Sequence, residues 1–167
     1  AADTLKLTSG FTGASVALAA SDGQYNSIEV VDASAVTGSL NITGTTAAET
    51  ITGAAGGGTI DGKGGADSLV GTGDASNTFM FYGSETVTGG DGTDTLKLAS
   101  TVTGSVSLDG TTLSGIEVVD ASAVTGDLTL TGNATAATTF KLGAVASGQT
   151  VSATGGTGTD TFELAAA

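Results

Sequence analysis

Two nine-residue segments of the chain place an aspartate among glycines at a spacing that suits a divalent cation. Residues 89–97 read GGDGTDTLK and residues 155–163 read GGTGTDTFE, so both fit the pattern G-G-x-G-x-D-x-U-x, where U is apolar. The glycines let the backbone turn and point carbonyl oxygens inward, the aspartate adds an anionic oxygen, and the apolar residue anchors a short strand. Because all of these ligands are hard oxygen atoms, the pattern predicts calcium (Ca2+) binding.

The candidate ligands extend beyond the two complete motifs into loops that keep only part of the pattern. Lys63 stands where the loop before Asp67 should have its second glycine, and we expect this residue to weaken that site. A second interpretation stays open, in which the aspartates form turns and cap the amides of their own loops without metal. The candidate metal-site residues are Gly62, Gly64, Asp67, Asp74, Asn77, Gly89, Gly90, Asp91, Gly92, Asp94, Gly155, Gly156, Gly158 and Asp160.

These segments resemble the RTX-like (hemolysin-type) calcium-binding repeat family of secreted bacterial proteins, in the form found in S-layer proteins and large surface adhesins. The resemblance is specific over about residues 49–97 and 155–163. It implies a parallel β-roll in which calcium sits between stacked turns, held by aspartate carboxylates and loop carbonyls. It also implies export by a type I secretion system.

The elements that must position these loops can be read from evenly spaced apolar residues. Between residues 49 and 97 such residues recur every eight to ten positions, as Ile51, Ile60, Leu69, Phe79, Val87 and Leu96. With two such repeats in each turn, alternate loops stack on the same side of the roll. Asn77 and Asp94 should therefore share one side, near Asp74 and Asp91, while Asp67 should lie on the other, between Glu49 and Glu85. No segment has sustained helical periodicity, so the fold class is all-β, a parallel β-roll or β-solenoid.

A longer internal repeat divides the chain. The segment IEVVDASAVTG occupies residues 28–38 and again residues 116–126, and a DTLKL segment precedes each copy. This predicts repeat module one over residues 1–93, with the nonapeptides at about 49–97, and a shorter module two over 94–167, both cut from a longer repeat protein. Asp32 and Asp120, in the repeated DAS segment, are better explained by Asx turns or a stacked polar ladder than by metal.

Composition narrows the classes of function. The 167 residues carry a formal net charge of −13, with four lysines, no arginine and no His, Cys, Pro or Trp. Such acidity makes nucleic acid and anionic membranes poor partners, and no apolar run is long enough for membrane insertion. Without His, Cys or Arg, nucleophilic and imidazole-based catalysis lacks its usual residues, so we expect no enzyme.

Together these observations predict a structural component of a bacterial cell-surface layer, S-layer-like, that folds and self-assembles with calcium. Its expected location is secreted, at the extracellular cell surface, and its expected partners are copies of itself in a lattice or filament. Cell-surface polysaccharide is a further candidate partner. The alternative is a calcium-stiffened adhesin stalk or a glycan-binding module of a secreted RTX-type protein.

Overall fold

The structure is a computed structural model that describes residues 2–18, 27–144 and 147–165, and it confirms the all-β prediction. These residues form seventeen short strands and no helix, so none of them belongs to a helix that could span a membrane. The strands are β1 (Thr4–Lys6), β2 (Ser15–Ala17), β3 (Val30–Asp32), β4 (Asn41–Thr43), β5 (Thr50–Thr52), β6 (Gly58–Asp61), β7 (Ser68–Val70), β8 (Asn77–Phe81), β9 (Thr86–Thr88), β10 (Thr95–Leu98), β11 (Gly104–Ser107), β12 (Leu113–Ser114), β13 (Val118–Ala121), β14 (Leu128–Thr131), β15 (Thr139–Leu142), β16 (Val151–Thr154) and β17 (Thr161–Leu164).

All strand pairs in these three ranges are parallel, and they build three sheets of a β-solenoid. The long sheet has the order β2-β4-β6-β8-β10-β13-β15-β17. The first flanking sheet has the order β1-β3-β5-β7-β9-β12, and the second has the order β11-β14-β16. From β1 to β10 the chain alternates between the first flanking sheet and the long sheet, so each turn of the stack contributes one strand to each.

The core consists of apolar side chains stacked in register from turn to turn. In the long sheet, Ile60 pairs with Phe79 and Phe79 with Leu96, and in the first flanking sheet Ile51 pairs with Leu69 and Leu69 with Val87. All six of these residues are at most 1% exposed, which confirms the register predicted from their spacing. No strand buries more than two such residues, so the stability of the stack depends on their repetition.

The solenoid changes sheets within the turn between β10 and β13. This turn holds two strands: β11, which begins the second flanking sheet, and β12, which ends the first. Gly104, Gly110 and Gly115 border these strands with φ of 85°, 77° and 61°, a left-handed conformation that glycine adopts without steric cost. After this turn the chain alternates between the long sheet and the second flanking sheet.

The two copies of the repeated segment form the same local structure in different sheets. β3 stacks on β1 in the first flanking sheet, whereas β13 stacks on β10 in the long sheet. β10 lies in the long sheet because nine described strands, β1 to β9, alternate between the two sheets before the second DTLKL copy. The Asx turns predicted for Asp32 and Asp120 are confirmed. In each, the aspartate Oδ1 accepts the backbone N–H of the serine two residues later, Ser34 or Ser122, at 3.1 Å.

Candidate metal centre

The loops before β8 and β10 bring Asn77 and Asp94 together on the long-sheet side, as the sequence predicts. Both side chains are buried. Asp94 Oδ1 accepts the backbone N–H of Asn77 at 2.7 Å and its Nδ2 at 3.1 Å. The second oxygen, Asp94 Oδ2, and the amide oxygen, Asn77 Oδ1, have no hydrogen-bond partner within the described part of the chain. Two buried oxygen atoms are therefore available to a ligand at this point.

Asp67 lies on the other side of the stack, in the loop before β7, also as predicted. Its Oδ1 accepts the backbone N–H of Glu49 at 2.9 Å, whereas its Oδ2 has no partner among the described residues. Burial is the main cause that raises the pKa of Asp67 to about 6; the negative charges of Glu49 and Glu85 in the adjacent turns add to the rise, and the Glu49 N–H opposes it. This carboxylate is therefore costly to ionise without a cation.

Glu49 and Glu85 are buried as well, but their carboxylates are directed to their own loops. Glu49 accepts the backbone N–H of Thr45 at 3.2 Å and also the Thr45 hydroxyl. Glu85 accepts three consecutive backbone N–H groups, from residues 82, 83 and 84, at 2.9–3.0 Å. Their charges are stabilised locally, which leaves Asp67 as the member of this column with an unpartnered oxygen.

A single hydrogen-bond arrangement links these loops from turn to turn. A carboxylate in one turn accepts the backbone N–H of the equivalent residue in the preceding turn, and we call this contact the inter-turn cap. The interpretation without metal expected each aspartate to cap the amides of its own loop. The carboxylates of these contacts instead cap an amide of the neighbouring turn. The caps join Asp67 to Glu49, Asp94 to Asn77, Glu117 to Asp94, Asp160 to Thr138 and Glu29 to Asp3, at 2.7–2.9 Å.

The first glycine of three loops lies so close to the capping carboxylate that a side chain would clash with it. A Cβ placed on Gly62, Gly89 or Gly155 would lie 2.3, 2.8 or 2.0 Å from Oδ2 of the aspartate five residues later. None of these three glycines has a positive φ, so the close approach, and not the backbone conformation, excludes a side chain. Gly90 differs, because its φ of 125° is accessible essentially to glycine alone.

Alanine at Gly89 is expected to lower the free energy of unfolding by about 2–3 kcal/mol, because its Cβ would also lie 1.7 Å from the carbonyl oxygen of Gly115. The matched control is Gly38→Ala, since a Cβ at Gly38 meets nothing within 4 Å. That variant should differ from the wild type by no more than about 0.5 kcal/mol. Denaturant unfolding followed by circular dichroism measures both, and equal stabilities for the two variants would contradict the steric argument.

The remaining candidates lie further from the buried oxygens. Asp74 and Asp91 are exposed at the outer surface of their loops, and Gly64 has open space around it. Gly92, Gly156 and Gly158 pack against the backbone of the preceding turn, where a Cβ would lie within 2.6 Å of it. Asp160 is partly exposed and lies in the last cap, far along the stack from Asp94. The structure thus places Asn77 next to Asp94, whereas Asp67 and Asp160 lie away from this pair.

The donor set fits calcium only if backbone carbonyls supply most of the ligands. Within residues 2–18, 27–144 and 147–165, no three acidic side chains are close enough to hold one metal ion. The unpartnered atoms are nevertheless all oxygens, the donor type that calcium prefers, and calcium accepts backbone carbonyl groups and water beside carboxylates. One carboxylate oxygen per ion, with carbonyls of a glycine-rich loop, is consistent with a weak site.

Glu117 and Thr138 belong to the cap column but were not among the candidates. Glu117 Oε2 accepts the backbone N–H of Asp94 at 2.8 Å, and Thr138 donates its own N–H to Asp160 Oδ1 at 2.9 Å. Both residues stand two positions before a buried apolar anchor, Val119 or Phe140, as Asp94 stands before Leu96. Taking the residue two positions before each apolar anchor in the second half of the chain would have identified both of them.

Comparison with known proteins yields no matching family model, no matching curated protein and no matching solved structure. The function must therefore be argued from the geometry of these loops and from the sequence.

Proposed function

We propose that this chain is a structural, calcium-stabilised β-solenoid of a bacterial cell-surface layer, secreted to the extracellular surface. The observation that carries the proposal is the pair of buried, unpartnered carboxylate oxygens, Asp94 Oδ2 and Asp67 Oδ2. A buried polar group without a partner costs about 1–3 kcal/mol, and more when it is charged. A divalent cation at each oxygen would offset this cost.

The proposed ligands follow from the atoms that lack partners. Asp94 Oδ2 would bind one ion with carbonyls of the 89–92 loop, and Asp67 Oδ2 would bind another with carbonyls of the 62–65 loop. Bound calcium supplies positive charge to a chain whose formal net charge is −13. The inter-turn caps hold each carboxylate in place through its other oxygen.

The folded state would be stabilised by linkage, because the unfolded chain lacks the site. Such binding adds RT ln(1 + [L]/Kd), about 2.7 kcal/mol at a hundredfold excess over Kd. Weak extracellular calcium modules have Kd values of about 10⁻⁴–10⁻³ M. Sites of this affinity would stay empty during cytosolic synthesis and fill outside the cell, where the layer assembles from copies of the chain.

The test is a calcium titration of EDTA-treated protein, followed by far-UV circular dichroism, thermal unfolding and light scattering. We expect a rise in the unfolding temperature that saturates between about 1 and 10 mM calcium, accompanied by concentration-dependent scattering from ordered assemblies. Magnesium at the same concentration is the control and should have a smaller effect, since it needs a tighter octahedral site.

Two outcomes would contradict separate parts of the proposal. An unfolding temperature that is the same in EDTA and in calcium would remove the calcium part. A clear calcium response with a protein that stays monomeric at all concentrations would remove the self-assembling layer and leave a calcium-stabilised module.

A further inference from the structure

Strand β11 has an edge within the flank of the solenoid that pairs with no other strand of the described residues. β11 begins the second flanking sheet, and its single neighbour there is β14. Toward β14, the backbone N–H of Gly104 donates to Asp127 O at 3.0 Å and that of Leu108 donates to Thr131 O at 2.9 Å. In a parallel pair alternate residues bond to the same neighbour, so the N–H and C=O groups of Ser105 and Ser107 face the opposite, open edge.

A cleft of about 310 Å³ opens along this edge. One side is formed by the end of β8 and the loop that follows it, with Phe81 and Glu85, and the other by β11, the loop after it with Asp109, and Leu113 of β12. The cleft exists because the sheets change here: the second flanking sheet starts at β11, so the turn below contributes a loop and no strand. Its size is at the lower end of the range for ligand sites in proteins.

The lining combines an apolar part with negative charge. Phe81, Val106 and Leu113 supply a small apolar floor, since each is at most 6% exposed. Asp109 is exposed, and the backbone N–H groups of Thr111 and Thr112 that it accepts at 2.8 Å lower its pKa to about 2, so it is ionised at neutral pH. No lysine lines the cleft. The chemistry therefore suits a segment that is extended, partly apolar and positively charged.

We propose that the open edge of β11 is a docking site for an extended, cationic peptide segment of a partner protein. The segment adds to β11 as a strand and exchanges backbone hydrogen bonds with Ser105 and Ser107. An apolar side chain of the segment faces Phe81 and Leu113, and a basic side chain pairs with Asp109. The site is independent of calcium and of the layer role proposed above.

A second copy of this chain fits the cleft less well, because its cations are already paired or placed elsewhere. Lys6 pairs with Asp32 at 2.7 Å and Lys63 with Asp61 at 2.8 Å. Lys97 and Lys141 lie on either side of Asp120 in the register of the long sheet. Charge complementarity thus favours a basic segment from another protein.

Fluorescence anisotropy with a labelled acetyl-TVKVTV-amide peptide tests the proposal on the wild-type protein, in EDTA and in calcium. We expect saturable binding, weakened at least tenfold when the central lysine is replaced by glutamate. Two further peptides carry N-methyl groups on alternate residues, in opposite phases. Strand addition uses the amides of one phase only, so one of the two should lose about tenfold in affinity or more and the other much less. Equal binding by all three lysine peptides, or no saturable binding up to about 1 mM, would overturn the proposal.

Matched protein variants locate the site. Ser107→Pro removes the N–H that faces the open edge and is compatible with an edge strand, whereas Ser107→Ala removes only the hydroxyl. We expect the first to lose at least about tenfold in peptide affinity and the second to bind as the wild type. Asp109→Asn keeps the acceptor for Thr111 and Thr112 and should weaken binding about two- to fivefold. Unchanged affinity in a folded Ser107→Pro protein would contradict the assignment, and if that variant fails to fold, the N-methylated peptides decide.

Discussion

Replacing Asp94 with alanine is expected to lower the free energy of unfolding by about 2–5 kcal/mol even in EDTA, because the backbone N–H of Asn77 loses its acceptor inside the stack and its Nδ2 group keeps only the carbonyl oxygen of Ala75. With calcium in hundredfold excess, the proposed ion at Asp94 adds a further loss of about 2.7 kcal/mol. Denaturant unfolding at several calcium concentrations measures both parts.

Asparagine at position 94 separates the loss of the hydrogen bonds from the loss of calcium binding. Asp94→Asn keeps a side-chain oxygen for the Asn77 N–H, so it should stay within about 1–2 kcal/mol of the wild type in EDTA but should lose most of the calcium increment. Asp91→Ala, which removes an exposed carboxylate from the same loop, is the control and should change stability in EDTA by no more than about 0.5 kcal/mol. A wild-type calcium increment in Asp94→Asn would rule out this carboxylate as a ligand.

The effect of Asp67→Asn on the free energy of unfolding is expected to change sign with the calcium concentration. In EDTA at pH 7 it should stabilise the protein by about 1–2 kcal/mol, because it keeps the acceptor for the Glu49 N–H and removes a buried charge near Glu49 and Glu85. With millimolar calcium it should destabilise the protein instead, since the proposed ligand is lost.

The pH dependence gives an independent check on Asp67. Its pKa is about 6 in the folded state, above the ordinary value of 3.8, so the folded state binds a proton that the unfolded chain has released. The wild type in EDTA should therefore lose stability as the pH rises from about 4 to about 6, and Asp67→Asn should lack this part of the loss. Asp120→Asn, in an exposed Asx turn, is the charge-matched control. A stability difference between wild type and Asp67→Asn that is constant over this range would contradict the expectation.

Much of the fold could be predicted because the apolar anchors and the residues two positions before them recur at nearly constant spacing. That spacing alone places Ile60, Phe79 and Leu96 in one buried column and brings Asn77 next to Asp94. Parallel strands fix the register of every side chain once the anchors are aligned. The predicted opposition of Asp67 to this pair follows from the same rule.

The change of sheets and the inter-turn caps could not be predicted in the same way. β11 and β12 lie between residues 104 and 114, where the nine-residue spacing is lost, so the sequence offers no register there. The caps depend on whether a carboxylate reaches the backbone of the preceding turn, which is a three-dimensional property of the loop. Calcium binding itself remains a prediction, because the spacing of ligands shows where an ion could lie but not its affinity.

From β1 to β10 the strands alternate between two sheets, so in this part of the solenoid the number of preceding strands decides which sheet a given strand joins. The identical turns at Asp32 and Asp120 lie in different sheets because nine described strands precede β10, on which β13 stacks. In the alternating part of the stack, gain or loss of one strand and its loop would therefore place the next repeat in the other sheet, whereas gain or loss of two would leave its sheet unchanged. A repeat array built on this plan can present the same surface on a different side of the solenoid by changing the number of strands before it, without altering any residue of that surface.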